Sequence, residues 1–283
     1  MTDWSSSPRV TLRARSVGGF AEVDPAATPG YDGDKKSGAA DLAAVGQKLS
    51  TLQEMLFAEA RSGGDRSVLL VLQGMDTAGK GGIVRHVGGL VDPQGLAVTG
   101  FGRPTRTEAA HDFLWRIRKA LPAPGRIGVF DRSHYEDVLP VRVHSLVPES
   151  VWRPRFDDIN AFEAELAASG TSIIKCALVV SKDEQKARLS ERLKRPDKFW
   201  KYDPSDLTER AYWDEYLQAY QEIFDRTDTD AAPWHVIPAD RKWFSRLAVA
   251  QILLETLESL DLSWPPANFD VDVEKARLAA LDD

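Results

Sequence analysis

Cysteine occurs once in this chain and histidine five times. The lone Cys176 lies in the apolar run "SIIKCALVV" and reads as a buried small hydrophobe, so disulfide frameworks and thiolate metal centres are excluded. The five histidines are scattered and offer neither a metal cluster nor a Ser-His-Asp arrangement. His86 and His144 read as ordinary helix-face residues, whereas His134 fits either a structural or a functional place. No apolar run is long enough to span a bilayer, so no membrane partner is expected. The opening "MTDWSSSPRV" lacks the basic-then-apolar order of a signal peptide, which makes the cytoplasm the expected location. A positive excess is also missing. The net charge of −7 argues against a general nucleic-acid binder, yet a polyanionic ligand stays open if positive charge is concentrated in one cleft.

What is present suits a soluble globular protein: 43% hydrophobic and 28% charged residues over 283 positions. Residues 1–40, rich in Gly, Pro, Ser and Asp, read as an N-terminal arm that either wraps the domain or moves freely. Residues 41–283 then alternate helical and strand patterns. Leu42, Val45, Leu49, Leu52 and Leu56 recur at helical intervals. "SVLLVLQG", "LAVTGF", "RIGVFD", "SIIKCALVV" and "WHVIPA" read as five strands, and the first lacks polar alternation, as a strand buried on both faces does. Thr105 with Glu108, and Ser181 with Glu184, form capping boxes for two intervening helices. A single long helix is expected from about Leu207 to Arg226, and a last one over "WFSRLAVAQILLETLESL". Strands alternating with helices imply βαβ crossovers and a parallel sheet with helices on both faces, a three-layer α/β/α sandwich.

The chemistry is concentrated in residues 68–82, "VLLVLQGMDTAGKGG". Gly74-x-x-x-x-Gly79-Lys80 falls between a buried strand and a helix start, where backbone N–H groups and the helix dipole can cradle phosphate. Gly74, Thr77, Ala78, Gly79, Gly81 and Gly82 are therefore expected to line the phosphates, with Lys80 reaching the outer ones. A merely structural turn would leave Lys80 unexplained. Gly81 stands where such loops carry a serine or threonine hydroxyl for Mg²⁺. Asp76 lies inside the loop instead, and a carboxylate there makes sense only with a cation between it and the phosphates. Asp131 ends the strand "RIGVFD" and supplies a second carboxylate. Asp76 and Asp131 together are the expected Mg²⁺ ligands, Mn²⁺ being the alternative ion.

Between Lys182 and Lys201 eight basic residues face four acidic ones. Arg188, Arg192 and Arg195 share one arc of a helix that runs into the polar connector "KRPDKFWKYDPSD", and the stretch at about 182–206 reads as a helical lid bearing arginines. Arg103, Arg106, Arg132, Lys194 and Lys198 complete the expected positive surround. No general base stands out. An ionised phosphate acceptor needs none, only positioning and charge neutralisation.

Several motifs in order resemble the polyphosphate kinase 2 family: "GMDTAGKGG", "DPQG", "HDFLWR", "FDRSHYEDVLPVRVH", "KRPDKFWKY", "ERAYWDEYLQAYQE" and "APWHVIPADRKWF", over roughly residues 30–265. The resemblance implies a thymidylate-kinase-like P-loop fold with a helical lid. It also implies reversible Mg²⁺-dependent phosphoryl transfer between inorganic polyphosphate and nucleotides. It assigns metal-associated carboxylates to Asp76 and Asp131, phosphate contacts to Lys80 and Arg132, and the lid to the Arg188–Arg195 helix. A homo-oligomer, dimer or tetramer, is implied as well. Glu136-Asp137 stands where many ADP-acting members carry Asn-Arg, which resembles the group acting on both AMP and ADP; guanine nucleotides are further candidate acceptors. The competing readings are an ATP-dependent small-molecule kinase of the same fold and a non-catalytic nucleotide- or polyphosphate-binding module.

Overall fold

Alternation along the strands explains the architecture. In β1 (Ser67–Gly74), Val68, Leu70 and Leu72 enter one apolar core while Leu69 and Val71 enter another. The same division holds in β4 (Thr171–Val179), where Ile174, Cys176 and Leu178 face the first core and Ile173, Ala177 and Val179 the second. Both faces of the sheet are therefore covered, as parallel sheets require. The helices Lys35–Arg61, Lys80–Val87 and Lys242–Glu258 close the first core, and Arg155–Ala168 and Trp213–Thr227 the second.

This computed structural model describes residues 2–281. With β2 (Leu96–Gly100), β3 (Ile127–Asp131) and β5 (Trp234–Pro238), the five strands are all parallel in the order β2-β3-β1-β4-β5. The protein is thus an α/β sandwich with a P-loop-kinase-like sheet. The chain leaves β1 towards β2 on one side and returns past β1 from β3 to β4, which makes the carboxyl ends of β1 and β3 a topological switch point. Leu72 pairs with Asp131, so the glycine turn after β1 and the carboxylate ending β3 meet at that crevice. Cys176 is fully buried, and burial pushes its thiol well up.

Three local expectations are corrected. The first long helix starts at Lys35, because Asp34 accepts from Lys36 and Ser37 and closes a capping box with Ser37. The Thr105–Glu108 box forms, but it opens only the 3₁₀ turn Glu108–Ala110; Asp112 then recaps the chain and the helix proper is Trp115–Lys119. The helix expected from Leu207 to Arg226 is split into Ser205–Glu209, a 3₁₀ turn Arg210–Tyr212 and Trp213–Thr227. Residues 2–34 lie on the domain: Leu12, Phe20 and Tyr31 are buried, and the Leu12 carbonyl accepts from Val236 N–H at 2.7 Å. Among the described residues no helix is long and apolar enough to cross a membrane.

Candidate active site

The turn after β1 owes its shape to left-handed backbone. Gly74 (φ 152°) and Gly79 (φ 119°) adopt it freely, and a Cβ on Gly74 would lie 2.9 Å from the Leu178 carbonyl oxygen. Thr77 (φ 63°) and Arg132 (φ 66°) adopt it without being glycine. Two such residues at one crevice are strain held in place by surrounding contacts, a recurrent feature of functional sites. Gly79 caps the helix Lys80–Val87, whose free N–H groups open onto the crevice.

The crevice is a cavity of about 480 Å³ lined by Asp76, Thr77, Gly79, Lys80, Gly81, Gly82, Asp131, Arg132 and Arg192, with Gly100, Phe101, Gly102 and Lys201 completing the wall. Four cationic side chains and two carboxylates thus face one space. Lys80 donates to the Gly74 carbonyl at 2.6 Å and, more weakly, to that of Met75 at 3.4 Å; burial, helped by the neighbouring Arg132 charge, lowers its pKa. Arg132 donates to Asp76 Oδ1 at 2.7 Å and stands 3.6 Å from Glu136. Burial works against its charge, but Glu136 and Asp76 outweigh burial and raise its pKa. Burial raises the Glu136 carboxyl in turn.

Arg188 lies outside the cavity wall. It is buried behind the glycine turn, where its guanidinium donates to the carbonyls of Thr77 and Ala78 at 2.9 Å, and of Ala239 and Asp240 at 2.5 and 3.1 Å. Its Nε donates to Glu184 at 2.7 Å. Every donor of Arg188 is taken, so it shapes the loop from outside. Arg192 does reach the cavity, held by the Lys201 carbonyl at 2.8 Å and Asp206 at 3.2 Å. Arg195 and Lys198 pair with Asp197 at 2.9 and 3.1 Å. They, with Arg103, Arg106 and Lys194, fall outside the cavity wall, as do Gly74 at the start of the turn and Ala78, buried within it.

The residues fit a divalent cation. An added Cβ at Gly81 would lie 4.0 Å from Asp131 Oδ2, so the space where a loop hydroxyl would bind metal adjoins a carboxylate here. Among the described residues no three His, Cys, Asp or Glu cluster as a metal site. Two hard oxygen ligands suit an ion that keeps waters and takes phosphate oxygens.

Comparison with known proteins is consistent across sequence and structure. The family model for polyphosphate kinase 2 matches residues 32–263. The chain belongs to the polyphosphate kinase 2 family. A relative from Meiothermus ruber, an AMP/ADP-polyphosphate phosphotransferase, is 46% identical over 242 residues, covering 86% of this chain and 89% of its own. An ADP-polyphosphate phosphotransferase from Rhodopseudomonas palustris is 46% identical over 231 residues, 77% of this chain and 78% of its own. The crystal structure of polyphosphate kinase 2 from Arthrobacter aurescens TC1 superposes with a TM-score of 0.95 at 53% identity, covering 98% of each chain.

The sequence patterns leave several contributors unmarked. The segment Gly100–Gly102 lines the cavity together with Lys201 of the basic stretch, and Arg116 anchors that segment by donating to the Gly102 carbonyl at 2.8 Å. The same guanidinium lies 3.4 Å from Asp137. Gln185 donates to the Asp76 carbonyl at 3.0 Å. The charge of the basic stretch pointed to its neighbourhood, but only the packing shows which members reach the crevice.

Proposed function

We propose that this polyphosphate kinase moves phosphoryl groups reversibly between inorganic polyphosphate and nucleotides with both AMP and ADP as acceptors, supported by Mg²⁺ held at Asp76 and Asp131. The observation that carries the reading is the single cavity in which the turn residues Thr77, Gly79 and Lys80, both carboxylates, Arg132 and Arg192 converge. The name of the Meiothermus ruber relative supports the pair of acceptors. When bound, the ion would neutralise phosphate oxygens and help align donor and acceptor.

The chain's own groups do the rest. Loop N–H groups at the start of the helix Lys80–Val87 bind phosphate oxygens, and Lys80 adds a point charge. Arg132 and Arg192 supply planar donors to charge that spreads over the transferring group. No residue needs to remove a proton, because the attacking phosphate oxygen is already ionised near neutral pH. The segment 182–206 acts as a lid, carrying Arg192 and Lys201 to the cavity and limiting hydrolysis by excluding water.

Purified protein supplied with polyphosphate, Mg²⁺ and AMP, ADP, GMP or GDP, with products separated by chromatography, is expected to form ADP from AMP and ATP from ADP. Absence of transfer to any acceptor would defeat the reading. Lys80→Ala is expected to abolish turnover; in a non-catalytic binding module it would weaken ligand binding with no rate to lose.

A further inference from the structure

Behind the turn that carries Arg132 lies a group of ionisable side chains that phosphoryl transfer does not use. Lys175 stands mid-strand in β4, and it, Tyr135, Glu163 and His134 are all between 0% and 1% exposed. All three ammonium protons of Lys175 are engaged, by Glu163 Oε2 at 2.6 Å, the Tyr135 hydroxyl at 2.8 Å and the Thr227 carbonyl at 2.8 Å. Glu163 Oε1 accepts from the Tyr135 hydroxyl at 2.9 Å and lies 3.1 Å from His134 Nε2. Burial alone would raise the Glu163 carboxyl, but Lys175 and His134 outweigh it and hold it below the ordinary value.

Charges in a core are a poor source of stability, because desolvation consumes most of their attraction and apolar side chains of similar volume often do as well. A fully partnered set does fix geometry. His134 and Tyr135 belong to the 3₁₀ turn His134–Asp137, which directly follows Asp131, Arg132 and Ser133. Within that stretch, Arg132 and Glu136 turn towards Asp76 and Gln73, while His134 and Tyr135 turn into the ionic cluster. Ser133 Oγ accepts from Tyr135 N–H at 3.2 Å and tightens the reversal. Arg132 keeps a left-handed backbone that an arginine holds only where neighbouring contacts over-determine it.

We infer that Lys175, Glu163 and Tyr135 are positioning residues that hold the 132–137 turn so that Arg132 is presented to the cavity. The inference rests on the reading of Arg132 as a phosphate contact. Its test is a double-mutant cycle in kcat and KM on the full chain: Tyr135→Phe, Arg132→Ala and both together. Tyr135→Phe should lower kcat roughly three- to tenfold with KM for polyphosphate and nucleotide within about twofold, and should cost nothing further once Arg132 is alanine. Multiplying effects would overturn the positioning role, since a purely structural loss is blind to Arg132. If Arg132→Ala alone left kcat unchanged, the functional reading of Arg132 would fall first, and the inference with it. Lys175→Met with Glu163→Leu removes both charges together; it should melt within a few degrees of the parent yet lose about tenfold or more in kcat. A folded double variant with parental kcat would sink the proposal, and should that variant not fold, the Tyr135–Arg132 cycle decides alone.

Discussion

Asp76 serves two partners. In this structure its carboxylate neutralises Arg132 at 2.7 Å, and in the proposed reaction it holds the cation. Asp76→Asn keeps an acceptor for Arg132 but removes the charge, so turnover with Mg²⁺ should fall about a hundredfold or more while the melting temperature barely moves. Near-parental Mg²⁺-dependent rates would reject the metal arrangement. Arg188 is the opposite kind of residue. Arg188→Lys cannot satisfy four carbonyls and Glu184 with one ammonium, and should destabilise the protein by about 2–4 kcal/mol, seen by thermal or denaturant melting. The places of Asp76, Lys80, Asp131 and Arg132 on the cavity wall were legible in the sequence because strand, turn and helix start fix them over a few residues. The role of Arg188 was not. Its carbonyl partners Thr77 and Ala78 lie about a hundred residues earlier in the chain, and no local pattern encodes that distance.

Among the elements, the basic helix Lys182–Lys194 and its connector carry the clearest pH signature. Asp206 in Ser205–Glu209 is pushed up to about 6, first by burial and then by Asp76, with Asp203 adding and Arg192 and Arg132 opposing. Its native carboxyl therefore binds a proton more tightly than the unfolded one. The stabilisation that follows is complete below the ordinary carboxylate range and is lost as pH rises through about 6. The contact with Arg192 runs the other way: an ionised Asp206 restrains that arginine only above about pH 6. The kcat/KM profile for polyphosphate should bend near pH 6, and Asp206→Asn should remove the bend. An unchanged profile in that variant would uncouple Asp206 from Arg192 and the cavity. Elements were readable where local signals agree, as in the five strands. They were misread where a second cap intervenes, at Asp112, or where Tyr212 interrupts a helical periodicity. The strand order needs pairings between distant segments, which no single stretch specifies.

At the scale of the whole molecule, an acidic protein keeps a cationic cavity by placing Lys80, Arg132, Arg192 and Lys201 around one crevice. The N-terminal segment contributes elsewhere. Leu12, Phe20 and Tyr31 insert into the two cores, and Arg13 and Arg15 pair with Asp228 and Asp230. Deleting residues 2–34 removes three buried anchors worth about 1.5–3 kcal/mol each. The melting temperature should drop by roughly 10 °C or more, measurable by calorimetry. A drop of only a degree or two would mean that the segment is a passenger. It also lies along β5 at the sheet margin, where Arg13 bridges His235 and Val236 donates to Leu12. Without it an apolar strand edge would stand open to pairing with other chains.

The far end is built differently: the helix Val271–Ala279 buries no residue, and Trp264 and Phe269 before it are 51% and 58% exposed. An affinity handle or fluorescent fusion therefore belongs after residue 281, because the same cargo in front of residue 2 would load the stitching that seals the sheet.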